Sequence, residues 1–142
     1  MGVRNEVSKK SKYYLQKYRY LELKYYCLQY KEWVSEYNDI CIDTHPSVMY
    51  GEYVNCRHIT DETAKKAIKR AQLSKKIEAV HAAIRETLNG TEYLYYGEFL
   101  LTSVTEERSW EKLVAWGLDC PKHQFYELRR KFFYTLSQNL QG

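Results

Sequence analysis

The chain has few residues that interrupt helices, with only two prolines and six glycines among its 142 residues. This scarcity favours long helices and leaves little room for strands. Long apolar runs are also lacking, since no window approaches the roughly 18 uncharged apolar residues of a membrane span. In an export signal an apolar run follows the basic residues, and no such run follows Lys9, Lys10 and Lys12. We therefore expect no membrane contact and a cytoplasmic location.

Cysteine is scarce as well, with four residues placed too irregularly for a disulfide framework. We interpret them as free thiols. Cys41, His45, Cys56 and His58 are the right residue types for zinc, but their spacing does not match the paired-ligand motifs of structural zinc sites. We therefore predict ordinary loop residues and no bound metal.

Signals of catalysis are equally sparse. Cys120 and His123 could suggest a thiol nucleophile with a base, but no orienting group or oxyanion site accompanies them. There is no glycine-rich phosphate loop and no pair of catalytic carboxylates. We therefore predict no enzyme activity, no catalytic residue and no cofactor, and interpret Cys120 as a turn residue.

Charge is distributed unevenly, although the net charge is only +4. Residues 8–24 hold six lysines or arginines against one acid, residues 39–62 are acidic, and residues 119–134 are basic again. Local clusters of one sign affect binding to a polyanion more than the total does. The two basic segments are therefore candidates for contact with nucleic acid or an acidic protein surface.

The first part of the chain shows two rows of apolar residues spaced alternately by four and three, as in a helix that packs along a seam. The first row is Tyr14, Tyr18, Leu21, Tyr25 and Leu28, and the second, displaced by one position, is Tyr26, Tyr30, Trp33, Tyr37 and Ile40. These rows predict a helix over about residues 8–37, followed by a loop over 38–60.

A second helix is predicted over about residues 61–88. Thr60 suits its N-cap, and Asn89 and Gly90 tolerate a left-handed stop. Its apolar face, Leu73, Ile77, Val80, Ile84 and Leu88, could lie against the first helix. We therefore expect residues 1–89 to form a long antiparallel helical hairpin, through which a homo-oligomer could form.

Residues 90–142 are expected to form a compact helical unit. After an aromatic-rich helix over about 93–101, Ser109 can cap a short helix over 110–116, and Gly117 offers a left-handed stop. Pro121 suits the first turn of a last helix that extends to about Asn139. A short helix, a turn with glycine and a longer basic helix form the pattern of a helix-turn-helix.

The last helix should have one packed face and one polar face. Phe125, Leu128, Phe132 and Leu136 fall on one narrow stripe. The remaining positions carry groups that suit base edges and phosphates in a major groove. The predicted DNA-binding residues are Lys122, His123, Gln124, Tyr126, Glu127, Arg129, Arg130, Lys131 and Tyr134. A basic face can also be merely solvated, but the preceding cap and turn favour double-stranded DNA.

The chain also resembles a known family in residues 109–113 (SWEKL), 120–134 (CPKHQFYELRRKFFY), 64–69 (AKKAIK) and 76–78 (KIE). These segments are similar to the RinA and ArpU late transcription regulators of phages that infect Gram-positive bacteria. The resemblance spans roughly residues 60–138. It implies a C-terminal helix-turn-helix similar to region 4 of sigma-70 factors, promoter binding and activation of phage late genes. Further implied are contact with host RNA polymerase and a place in the bacterial host cytoplasm.

The sequence therefore predicts an all-α protein with a long N-terminal hairpin followed by a compact unit with a C-terminal helix-turn-helix. The predicted function is sequence-specific transcription activation. Two alternatives are a phage small terminase subunit, which would form a ring, and a non-enzymatic helical adaptor, which would show no salt-dependent affinity for DNA.

Overall fold

The computed structural model describes residues 12–43, 61–91 and 94–141. Within these ranges the regular structure is helical and no strand is present, which confirms the expected all-α class. None of the described helices is long and apolar enough to cross a membrane. In order, the elements are α1 (Lys17–Leu28), α2 (Tyr30–Asp43), α3 (Asp61–Leu88), a 3-10 turn (Leu94–Tyr96), α4 (Gly97–Glu106), α5 (Trp110–Ala115) and α6 (Lys122–Gln141).

The chain divides into two compact units, Met1–Tyr30 with Ala79–Gly142, and Lys31–Glu78. This division differs from the expected boundary at residue 89. The first unit combines α1 with the C-terminal helices, because the buried side chains of α1 pack on α4 and α6. In the described residues the main packing partners of α1 are therefore α4 and α6, and the expected hairpin with α3 is not confirmed.

The single helix expected over 8–37 is interrupted at Gln29. The amide of Gln29 bonds to the carbonyl of Tyr26 at 3.3 Å, which is the tighter pattern of a 3-10 turn. The interruption follows the region where the two apolar rows overlap. A stripe that shifts by one position turns about 100° around a helix, and the break allows α1 and α2 to bury different faces.

The expected loop over 38–60 is helical at its start, because α2 extends to Asp43. Three of the four residues considered for zinc, His45, Cys56 and His58, lie outside the described residues, as does the predicted cap Thr60. Among the residues that are described, no group of three or more His, Cys, Asp or Glu side chains is placed to hold a metal ion.

The second unit is built from α2 and most of α3. Trp33 and Leu73 are buried there, and the Lys76 ammonium lies 5.7 Å from the Trp33 ring. An ion pair of 3.6 Å joins Lys69 to Glu36. These side chains therefore join α3 to α2.

The first unit has a core rich in phenylalanine. Phe125, Phe132 and Phe133 of α6 are almost completely buried, together with leucines from α1, α3, α4 and α5. Tyr20 of α1 meets Phe133 edge-on, with 5.3 Å between the ring centroids. Helix α6 therefore contributes its buried side to the centre of this unit.

Candidate nucleic-acid interface

Helix α5 begins where the sequence predicts. Ser109 has an extended backbone, and its hydroxyl accepts a bond from the Lys112 amide at 3.3 Å, so it acts as the N-cap. Glu111 lies in the first turn, where the helix dipole favours a negative charge. The pKa of Glu111 is lower than usual, mainly because its carboxylate accepts a hydrogen bond from its own backbone amide. A hydrogen bond from the Lys122 ammonium lowers this pKa further.

The end of α5 is a Schellman motif. The amide of Leu118 donates to the carbonyl of Leu113 at 2.9 Å, and the amide of Gly117 donates to the carbonyl of Val114 at 3.0 Å. Gly117 has a φ of +111°, which residues with a side chain rarely adopt. Leu113 and Leu118, the two positions that commonly make a hydrophobic contact in this motif, are both buried.

Two aromatic side chains fix the turn between α5 and α6. Trp110 donates its indole N–H to the carbonyl of Cys120 at 2.8 Å, and the buried Tyr96 donates its hydroxyl to the carbonyl of Asp119. The hydrogen bond with Tyr95, together with burial, raises the pKa of Tyr96 well above its usual value. The hydroxyl therefore keeps its proton, and the start of α6 is held from two sides.

We predict that Gly117→Ala destabilises the first unit by about 1–2 kcal/mol, because alanine is strained at this positive φ. An added Cβ at Gly117 would meet nothing within 4 Å, so the cost is conformational and not steric. Urea unfolding followed by tryptophan fluorescence measures the change. Gly97→Ala is the matched control, since its Cβ would make ordinary contacts of 3.7 Å with Ile84 and 3.8 Å with Leu88. Equal losses in both variants would contradict the assigned backbone strain.

Helix α6 starts at Lys122, directly after Pro121, and the predicted packing stripe is confirmed. Phe125, Leu128, Phe132 and Leu136 are all buried. The connection between α5 and α6 covers residues 116–121, which is longer than the three or four residues of the usual helix-turn-helix. The arrangement is a short helix, a rigid turn and a long helix whose first half leaves one side accessible.

Arg129 does not belong to the accessible side, contrary to the sequence prediction. It is only 7% exposed, and its guanidinium lies 5.1 Å from the centroid of the Phe133 ring. Burial raises the pKa of the neighbouring Cys27 to about 12, while the positive charge of Arg129 acts in the opposite direction. Arg129 is buried because α6 packs on a second side as well, where Phe133 and Ser137 lie one and two helical turns further along.

The other predicted residues remain accessible to different degrees. Lys122, His123 and Glu127 are exposed, whereas Gln124, Tyr126, Arg130, Lys131 and Tyr134 are partly exposed. By helical position, His123, Glu127, Arg130 and Tyr134 lie opposite the buried stripe, and Lys131 lies at the flank of this polar side. Lys122 is accessible because it begins the helix, and the ring of Tyr126 packs edge-on against Phe125 at 6.0 Å.

The C-terminal half of α6 is engaged by the N-terminal segment. Arg19 donates from Nε to the Ser137 hydroxyl at 3.0 Å and from Nη2 to the Ser137 carbonyl at 3.1 Å. The rings of Tyr13 and Tyr134 lie 5.8 Å apart. The candidate interface is therefore the exposed start of α6 with the first turn of α5, where Glu111 lies. Tyr134 lies at the edge of this interface.

Two cations of this surface have carboxylate partners. Lys122 pairs with Glu111 of α5 at 3.4 Å, and Arg130 pairs with Glu127 at 3.4 Å. Exposed pairs of this kind contribute about 0–1 kcal/mol each. Phosphate or base edges can therefore replace these carboxylates at low cost, and meanwhile the pairs keep the cations positioned at the surface.

Sequence reasoning missed several contacts of the first unit. Tyr96 was one of several tyrosines in its segment, with no signal that its hydroxyl meets the turn. The Lys24 ammonium lies 3.0 Å from Glu107, which has a left-handed backbone at the end of α4. Arg108 stacks on the exposed Trp116, with 5.1 Å from the guanidinium carbon to the ring centroid. These contacts link residues far apart in the chain, or residues without a distinctive pattern.

Cys120 occupies the turn as predicted. Its thiol is buried, and this burial raises its pKa above the usual value. A thiol that stays protonated at neutral pH is a poor nucleophile. Its position agrees with a role in packing beneath the start of α6.

Comparisons with known proteins give no further constraint, since no protein-family model, curated protein or solved structure matches the chain.

Proposed function

We propose that the protein is a sequence-specific DNA-binding regulator that inserts the first half of α6 into a major groove. The observation that carries this proposal is a polar, basic helix surface that follows a capped short helix and a hydrogen-bonded turn. Ser109, Trp110 and Tyr96 fix that presentation through the cap and the two bonds to the turn. A recognition helix requires such pre-positioning, because base edges are read by side chains held in a fixed register.

Residues within the interface divide into two groups. We assign Arg130 and His123 as donors to base edges, and Lys122 as a donor to either a base edge or a phosphate. Lys131 is assigned to the phosphate backbone, and Glu127 can accept from a cytosine amine. Because Arg129 is buried, it supports the helix from inside and is not assigned a DNA contact.

We further propose that the regulator activates phage late genes in the cytoplasm of a bacterial host, by contact with RNA polymerase. Support for this comes from the resemblance to the RinA and ArpU regulators in residues 109–134. The helical order of a short helix, a turn and a longer basic helix agrees with a structure similar to sigma region 4.

We predict that the full chain selects a preferred site from a library of random duplexes and binds it more tightly than random DNA. Fluorescence anisotropy at two salt concentrations measures both affinities. Because phosphate contacts release counterions, affinity for random DNA should fall steeply with salt, while the preference for the selected site should remain.

Two outcomes would contradict the proposal. Weak binding that is equal for all duplexes and disappears at the higher salt would indicate that the basic surface is only a solvated helix face. Assembly into a ring without sequence preference, measured by light scattering, would instead favour the terminase alternative.

A further inference from the structure

An apolar stripe on α1 points away from the core. Tyr20, Leu23 and Cys27 of this helix are buried in the first unit. On the opposite side Tyr18 is 77% exposed and Tyr25 is 57% exposed. Leu21 and Leu28 lie beside these tyrosines and are partly exposed. Two exposed tyrosines and two partly exposed leucines on one side of a helix form an interaction surface that the described residues 12–43, 61–91 and 94–141 leave accessible.

The spacing of this stripe is that of a coiled-coil seam. Tyr18, Leu21, Tyr25 and Leu28 follow one another at three, four and three residues, so they occupy successive a and d positions of a heptad. The residues that α1 buries in its own unit fall at other heptad positions. Helix α1 can therefore pack on the first unit and on another helix at the same time.

The charges beside the seam favour a second copy of α1 as the partner, in the parallel direction. Lys17 and Lys24 occupy g positions on one side, with Lys24 held by Glu107 of its own chain, while Glu22 and Gln29 occupy e positions on the other. Glu22 also pairs with Arg19 within α1, but its side chain is 66% exposed and can take a second cation. In a parallel pair each g residue faces the e residue five positions later in the partner helix, which places Lys17 opposite Glu22 of a second copy, twice by symmetry. An antiparallel pair would instead place lysine opposite lysine and Glu22 opposite Glu22.

We propose that α1 is a homodimerisation helix that pairs in parallel with α1 of a second copy through Tyr18, Leu21, Tyr25 and Leu28. Lys17 and Glu22 form reciprocal ion pairs between the two copies. The seam is short, since α1 has 12 residues. We therefore expect association in the micromolar range, as is usual for small interfaces.

The dimer would fix the separation of two copies of the candidate interface. Helix α1 is bound to α6 through the bonds from Arg19 to Ser137 and the ring contact of Tyr20 with Phe133. A two-fold axis along the α1 pair therefore relates two copies of α6, which corresponds to an inverted-repeat binding site. This consequence rests on the proposed DNA binding, whereas the dimer itself does not.

The test is analytical ultracentrifugation of the full chain without DNA. We expect a concentration-dependent monomer–dimer equilibrium, which Tyr18→Glu weakens by about tenfold or more, because it places two carboxylates at the seam. Ile68→Glu is the matched control, since Ile68 of α3 is a 60% exposed apolar residue outside the stripe. Circular dichroism of each variant checks that the helices are retained.

Reversing the charges tests the parallel direction. Lys17→Glu and Glu22→Lys alone should each weaken the dimer several-fold, and the double variant should return to within about twofold of the original affinity. A chain that stays monomeric throughout the micromolar range, or that loses association equally in Tyr18→Glu and Ile68→Glu, would overturn the proposal. Failure of the double variant to recover would overturn the parallel pairing. Because no DNA is present, these results do not depend on the proposed regulatory function.

Discussion

Replacing Phe132 with alanine is expected to lower the free energy of unfolding of the first unit by about 3–5 kcal/mol. The Phe132 side chain is fully buried, and its ring meets Phe133 edge-on with 5.2 Å between the centroids. Its removal leaves a cavity in the centre of a core that α6 shares with α1, α4 and α5. Because a domain is typically stable by about 5–15 kcal/mol, this loss is a large fraction of the total. Urea unfolding followed by circular dichroism measures it.

Trp116→Ala is the matched control for this cavity. Trp116 is bulkier than Phe132, but it is 58% exposed, and the Arg108 guanidinium lies over its ring. We expect its removal to cost less than about 1 kcal/mol, mainly from the lost cation–π contact. Similar unfolding midpoints for Phe132→Ala and the unaltered chain would show that the packing face of α6 is wrongly assigned.

The elements around the candidate interface were predictable because their signals are local. Ser109 caps the amide three residues later, and Gly117 supplies the positive φ that ends α5. The bounds of α5 and α6 follow from these residues and from Pro121. No knowledge of distant parts of the chain is required, since each signal operates within one or two helical turns.

Arg129 could not be placed from the sequence in the same way. Charged residues are rarely buried, so a helix with one narrow apolar stripe predicts Arg129 at the surface. Its burial results from a second packing face on α6, which exists only because α1 packs there through Tyr20. Contact between segments more than 100 residues apart has no local signature in a single sequence.

The apolar rows at the N-terminus illustrate the same limit. Both rows have helical spacing, so the sequence alone could not indicate which of them lies inside. In the structure Trp33 of the second row is buried, whereas Tyr18 and Tyr25 of the first row are exposed. The residues of α1 that do enter the core, Tyr20 and Leu23 among them, belong to neither row. The break at Gln29 allows α1 and α2 to bury different faces.

Arg130→Ala is expected to weaken binding to the selected DNA site by about 1–3 kcal/mol, with a smaller loss on random duplex. Arg130 is partly exposed, lies opposite the packing stripe and pairs with Glu127 at 3.4 Å. A bidentate contact with a guanine would be lost on the selected site, whereas random DNA would lose only a phosphate contact. Fluorescence anisotropy with both duplexes measures the difference. The free energy of unfolding should change by less than about 0.5 kcal/mol.

The neighbouring residues provide the contrast that makes this result decisive. Lys131→Ala removes a phosphate contact, so it should weaken binding to selected and random duplexes alike. Arg129→Ala should instead lower the unfolding free energy, because it empties a buried position beside Phe133 and Cys27. Substitutions at three adjacent positions thus distinguish base recognition, phosphate binding and support of the core.

Equal losses on both duplexes for Arg130→Ala and Lys131→Ala would contradict the assignment of Arg130 to a base edge. A stable Arg129→Ala variant that loses DNA binding would return Arg129 to the interface.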